Sequence, residues 1–232
     1  MNGEAEVGYS TDFAGQVAIV PPLNPSEVEY LDRFAETRHE LRDAGPYAVS
    51  GFGLAAEDMY GGNEPPPQQP GYWCKWVPTA AGDALTWNGA EKFYDAEVWL
   101  AYLIDTFLRP GSAIRGETAP GWVLPPLFEH FTCDHVLNGV IVAQGEEEDD
   151  RWRIEVRDNV VHVVRPPSWP ADGESADGEP ADGRPAGGGS AGEGPAGGGS
   201  AGEGPADDHV FVVGANGDLR DLGPAVSNGF EN

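Results

Sequence analysis

Apolar residues recur along this chain at two different spacings, and the switches between them mark its elements. Residues 14–20 (AGQVAIV) are β-branched and read as a strand, which Pro21-Pro22 stop because proline cannot donate to a ladder. Asn24-Pro25-Ser26-Glu27 then has the order of a helix start, with Asn at the N-cap, Pro in the first turn and Glu at N3. Val28, Leu31, Phe34, Ala35 and Leu41 follow at helical spacing, Glu29 and Arg33 pair on the surface, and Gly45-Pro46 is the expected end. Residues 94–108 (YDAEVWLAYLIDTFL) are apolar almost all round, which predicts a helix packed centrally.

Strand patterns fill the remainder. Residues 51–71, rich in Gly and Pro, predict an irregular loop with a polyproline stretch at 65–67. In YWCKWVP (72–78), Tyr72, Cys74 and Trp76 share one face and Trp73, Lys75 and Val77 the other. Leu85 and Trp87 lie on a second strand, with Asn88-Gly89 a turn after it. HVLNGVIVAQ (135–144) is a third, with Gly139 a candidate bulge. RWRIEVR (151–157) alternates, with Trp152, Ile154 and Val156 inward. Asp158-Asn159 suits a two-residue turn into VVHVV (160–164). HVFVV, Asn216-Gly217 and DLRDL predict a late hairpin over 209–222, which is expected to add to the main sheet beside 160–164 because a lone hairpin is marginal in water. The expected fold is α+β: a mostly antiparallel sheet of five to seven strands with two helices on one face. The order of the first elements is that of a ferredoxin-like unit, an analogy that carries no function.

Composition divides the chain into a globular domain over 7–165, a linker over 166–208 and the hairpin. The linker is nearly all Pro, Ala, Gly, Asp, Glu and Ser, and AGGGSAGEGP occurs in it twice in succession, at 186–195 and 196–205. Such a segment has no apolar face to bury and is expected to be a disordered spacer. Thirty-nine acids against 13 bases give a net charge of −26, a field that repels nucleic acid and anionic membranes. No apolar run is long enough to span a bilayer, and the N-terminal sequence lacks the pattern of a secretory leader. Two cysteines, Cys74 and Cys133, make no disulfide framework, so a cytoplasmic location is expected.

Candidate chemistry is sparse. Glu129, His130, Cys133, Asp134 and His135 are ligand-type residues in one short stretch, yet on a strand His130 would point away from Cys133 and His135, and no second cluster completes a structural zinc site. Cys133 beside His135 has the composition of a nucleophile and base without an orienting third group. Asp95 reads as the N-cap of the central helix, and Glu146–Asp150 as a solvated turn. No metal, no cofactor and no catalytic residue are expected. The aromatic set is the best lead. Trp73, Trp76 and Trp87, with Glu91, Lys92, Asn138 and Gln144, form a candidate ligand or partner surface, set against a plain tryptophan-rich core.

QPGYWCKWVPT (69–79), LTWNGAEKFYDAEVWLAYLIDTFL (85–108), VLNGVIVAQGEE (136–147) and VRDNVV (156–161), with the opening over 9–38, resemble a family of small uncharacterised proteins of actinomycetes, other bacteria and phages. The resemblance spans 9–164 and implies a bacterial or phage cytosolic setting. It implies no activity, cofactor or site residue. The functional expectation is an accessory or protein-interaction protein, with phage or host-defence associations and a protein partner. The alternatives are an enzyme or small-ligand binder built on the residues above, and an acidic mimic of DNA.

Overall fold

The structure is a computed structural model that describes residues 9–50, 53–54, 65–116, 122, 124–166, 208–214 and 217–224. Its frame is an antiparallel sheet built from β1 (Asp12–Val20), β4 (Trp76–Pro78), β5 (Ala84–Trp87), β6 (Val136–Gln144), β7 (Arg151–Arg157), β8 (Val160–Arg165), β9 (His209–Val213) and β10 (Leu219–Pro224). The spatial order is β10-β9-β8-β7-β6-β1-β5-β4. The α+β class expected from the sequence is therefore present. The sheet has eight strands rather than five to seven, because both strands of the late hairpin join it. Asn216 and the whole of the 167–207 stretch, including the duplicated decapeptide, lie outside the described residues. A separate two-residue parallel pair joins β2 (Val49–Ser50) to β3 (Gly53–Leu54).

Two helices, α1 (Pro25–Glu36) and α2 (Ala96–Leu103), pack over one face of the sheet. Phe13, Val17, Ile19, Leu137, Ile141, Ile154, Val161 and Val163 point inward and meet Tyr30, Phe34, Trp99 and Leu100 in one continuous core. Rings join the layers: Phe34 lies 6.0 Å from Trp99 and 5.3 Å from Phe107, both edge-on. The other face of the sheet carries the alternate positions. Val20 is 65% exposed and Val140 47%, and Glu155 is held between Arg153 and Arg157.

The start of α1 is built as the sequence predicts. Asn24 Oδ1 accepts from the backbone N–H of Ser26 at 2.9 Å and of Glu27 at 3.2 Å, while the Asn24 N–H donates back to Glu27 Oε2 at 2.8 Å. Its end differs. The helix stops at Glu36, well before Gly45-Pro46, because the Thr37 hydroxyl donates to the Arg33 carbonyl at 2.7 Å and the Thr37 N–H turns to the Phe34 carbonyl at 3.2 Å. The chain then extends, and the His39 N–H donates to the Tyr72 carbonyl at 2.8 Å. Leu41, expected on the helix, is exposed.

Two further expectations are corrected. Gly139 is not a bulge, since β1 and β6 stay in register from Asp12↔Gln144 to Val20↔Val136. Gly139 instead permits close approach, because a Cβ there would lie 2.5 Å from the Gln16 carbonyl oxygen. Asp95 stands at the N-cap of α2, but its backbone is left-handed (φ 53°) and its side chain makes no capping bond. The Asp158-Asn159 turn forms as expected, both residues at positive φ (47° and 70°) between the paired Arg157 and Val160.

Candidate functional site

The structure scatters the residues that the sequence singled out. Trp76 is core: its ring packs edge-on against Phe13 and Phe93, and its Nε1 donates to the Ala96 carbonyl at 2.7 Å. Trp87 pairs with it across β4 and β5 and donates to the Ala90 carbonyl at 3.2 Å. Lys75 ties the backbone carbonyls of Glu91 and Lys92 to the same corner, which leaves both of those side chains exposed. Trp73 is exposed nearby in sequence. Asn138 lies on β6 beyond β1, where it accepts from the Asp158 N–H at 2.9 Å. Gln144 closes the opposite end of that strand by donating to the carbonyls of Glu147 (2.7 Å) and Asp150 (3.1 Å). Trp76, Trp87, Glu91 and Lys92 are thus neighbours, whereas Asn138 and Gln144 make their hydrogen bonds at the two ends of β6. Alternation along a strand cannot distinguish a tryptophan that lines a cleft from one that fills a core.

The Cys133 and His135 side chains also turn away from one another. His135 Nδ1 donates to the Pro21 carbonyl at 2.8 Å, and its Nε2 lies 3.0 Å from Thr132 Oγ1 and 3.2 Å from Glu27 Oε1. Glu27 Oε1 also accepts from the Thr132 backbone N–H at 2.6 Å. Both side chains are buried. Burial pushes the Glu27 carboxyl up, but the bonds from His135, Thr132 and Asn24 outweigh it and hold the group below the usual carboxylate range. Burial pulls His135 down, but the bonds to Glu27 and to the Pro21 carbonyl, with the Glu27 charge, hold it above the ordinary histidine value. The pair is a buried histidine–carboxylate contact in which the surroundings of both partners favour their charged forms. It fastens the α1 N-terminus to the start of β6.

Cys133 is buried with a left-handed backbone (φ 51°), and the Arg115 Nε lies 3.3 Å from its sulfur. Cys74 is buried too, and desolvation pushes its thiol up to about 12, so it packs as a small hydrophobe. His130 and Glu129 are exposed. Among the described residues, no three His, Cys, Asp or Glu side chains are placed to hold a metal ion.

A cavity of about 440 Å³ lies elsewhere, beside α2. One wall is a face of that helix: Val98 and Tyr102, then Asp105 and Thr106, at i, i+4, i+7 and i+8. The last two sit in a π-helical turn (Ile104–Leu108) that continues α2, closed by the Arg109 N–H on the Ile104 carbonyl at 3.0 Å. Turns of this kind recur where helices serve a site. The second wall is Pro46 and Tyr47, the third Pro67 to Pro70, and Ala113 and Trp122 complete the rim. The Trp122 indole covers Gly45, where a Cβ would lie 2.6 Å from the ring and the backbone is left-handed (φ +89°).

Gln69 is the polar centre of this cavity. It is only 6% exposed. Its Nε2 donates to the Pro46 carbonyl at 2.8 Å and to the Tyr102 hydroxyl oxygen at 3.2 Å. Its Oε1 is buried with no hydrogen-bond partner among the described residues. A buried carbonyl without a donor costs about 1–3 kcal/mol, so a site that retains one calls for a reason. Tyr102 is held neutral, since desolvation raises its hydroxyl well above the ordinary value. None of these residues was singled out from the sequence. The available signals were two adjacent polar residues, Asp105 and Thr106, in a mostly apolar helix, and Gln68-Gln69 inside a proline-rich segment.

No protein-family model, curated protein or solved structure matches this chain.

Proposed function

We propose that this protein is a small-ligand-binding module whose ligand sits between Gln69, Tyr102 and Trp122. The observation that carries this reading is a cavity of about 440 Å³ walled by Tyr47, Tyr102 and Trp122, a size within the range of small-molecule sites. Aromatic and proline walls with few polar groups are the usual lining of such sites. The test is amide NMR with a set of neutral and amine fragments, on the wild-type chain and on Ala113→Trp. Ala113 is exposed at the rim, so an indole there fills the entrance without entering the core. The reading requires shifts at 68–69 and around 98–106 that Ala113→Trp abolishes. Fragment shifts that survive the substitution would refute it.

A second reading, an accessory protein that binds a protein partner, is favoured by the uncovered sheet face. Val20 pairs directly with Val136, and Val140 and Val160 are exposed on the neighbouring strands. Its phage or host-defence setting rests on the family resemblance alone. Val140→Glu would remove a partner captured from the native host if this face binds one, and unchanged capture would discard it. That face carries Arg151, Arg153 and Arg157 around Glu155, not a ridge of carboxylates, which weighs against a mimic of DNA. Two buried free thiols support a reducing, cytoplasmic compartment. Among the described residues, no helix is long and apolar enough to cross a membrane.

A further inference from the structure

We infer that the chain carries a self-modifying site at Asn88-Gly89, where the Gly89 backbone nitrogen attacks the Asn88 side chain and, with uptake of water, converts the asparagine to a mixture of aspartate and isoaspartate. The inference is independent of the cavity.

Asn-Gly occurs five times in the chain, and the structure describes both residues of two such pairs, Asn88-Gly89 and Asn138-Gly139. The reaction needs the nitrogen after the asparagine to reach the side-chain Cγ. That nitrogen must be free of hydrogen bonds, and its residue must carry no crowding side chain. Asn88, Gly89 and Ala90 are all exposed, in the link between β5 and α2. Gly89 is left-handed (φ +80°), and a Cβ there would meet nothing within 4 Å. Its N–H has no acceptor among the described residues. The Ala90 N–H donates to Asn88 Oδ1 at 3.0 Å. That bond folds the side-chain carbonyl back over the Gly89 peptide and sets a donor at the oxygen that gathers charge when Cγ is attacked.

The other pair holds the same two residue types in a closed setting. Gly139 lies inside β6, with Val17 opposite on β1 and Val156 on β7. A Cβ on it would stand 2.5 Å from the Gln16 carbonyl oxygen, so its backbone has no room to swing. The Asn138 amide is tied to Asp158 through both of its atoms, at 2.9 and 3.4 Å. Reaction there waits on opening of the ladder, whose free-energy cost multiplies directly into the rate. At Asn88 the bond from the Gly89 nitrogen to Cγ forms and the Cγ–Nδ2 bond breaks. Nδ2 leaves as ammonia, carrying the Gly89 amide proton. Water then opens the cyclic imide at either carbonyl: one opening gives aspartate, the other routes the main chain through the side chain as isoaspartate. Both products add a negative charge beside the exposed Glu91 and Lys92. The isoaspartyl product also lengthens the backbone close to Ala90, whose carbonyl accepts from Trp87 Nε1 at 3.2 Å.

Peptide mapping by mass spectrometry tests this on the full chain, aged at mildly alkaline pH and body temperature, beside a second sample aged in urea. Electron-transfer fragmentation distinguishes isoaspartate from aspartate. In the folded sample, acid is expected to accumulate at Asn88 at least about ten-fold faster than at Asn138, with both products present. The rate at Asn88 should climb with pH, because the attacking amide must shed its proton. In urea the two positions are expected to react at similar rates, and Asn88 to stay within about ten-fold of its folded rate. A folded-state ratio of Asn88 to Asn138 below about ten overturns the inference, as does conversion at Asn88 more than about ten-fold slower in the folded chain than in urea. Aspartate without isoaspartate would mean hydrolysis by water alone and would overturn attack by Gly89.

Discussion

At the N-terminus of α1 both carboxylate oxygens of Glu27 meet donors, whereas beside α2 the Gln69 side chain keeps a buried oxygen with no partner among the described residues. Both sites border the same apolar core and both bury groups that water would otherwise hydrate. The first is closed: two ring nitrogens, two carboxylate oxygens, a hydroxyl and two backbone N–H groups account for one another. The second is closed on the donor side only. A saturated network fixes geometry and leaves no place for a third party. An unsaturated one beside open volume keeps a free-energy deficit. That contrast separates the network that holds this fold together from the site proposed to bind.

The largest blow to the contrast should come from Glu27→Ala, which strands a buried His135. Urea unfolding is expected to show a loss of about 3–5 kcal/mol, while cavity binding per folded molecule stays unchanged. The pH profile sharpens the same side. Glu27 is held below the ordinary value of 4.5, so its contribution is present above that value and is lost as pH falls through the folded-state value. His135 is held above the ordinary 6.5, so its contribution is present below that value and is lost as pH rises through the folded-state value. The pair thus stabilises most between about pH 4.5 and 6.5. Unfolding measured across pH 3–9 should show that maximum in the wild type and a flatter curve in Glu27→Ala; equal curvature in both would remove the ion pair. Gln69→Ala is expected to cost less, about 1–3 kcal/mol, by leaving the Pro46 carbonyl alone, with no change in pH dependence. Ala113→Trp should move stability least, within about 0.5 kcal/mol, with cavity binding gone. A large thermal shift in that variant would mean that the rim is part of the core.

The closed site was half legible in the sequence. Asn24 and Glu27 form a reciprocal cap within one helical turn, so their spacing alone announces it. The recruitment of His135 from over a hundred residues away was not, because only the sheet brings β6 beside the loop at Pro21. The strands from Arg151 to Arg165 were readable for the same local reason, with a period of two and a turn that tolerates left-handed residues. The end of α1 was not, since a single hydroxyl at Thr37 competes with the backbone and no periodicity reports it. The cavity was least legible. Its walls come from five separate stretches, around 46, 68, 102, 113 and 122, and none carries a pattern of its own. The tryptophans that drew attention obey the same alternation whether they fill a core or line a cleft, and Trp76 fills the core.

The pairing of Arg165 with His209 has a consequence for how this chain can vary. Those two residues sit opposite one another on adjacent strands, so residues 166–208 begin and finish at almost the same point of the sheet. Closing a longer or shorter excursion between fixed posts changes the free energy only logarithmically. Excising both decapeptide copies, which roughly halves it, should alter stability by only about 0.6 kcal/mol. The strand register sees only the posts, so a change in copy number at this position is expected to leave the Glu27–His135 lock undisturbed.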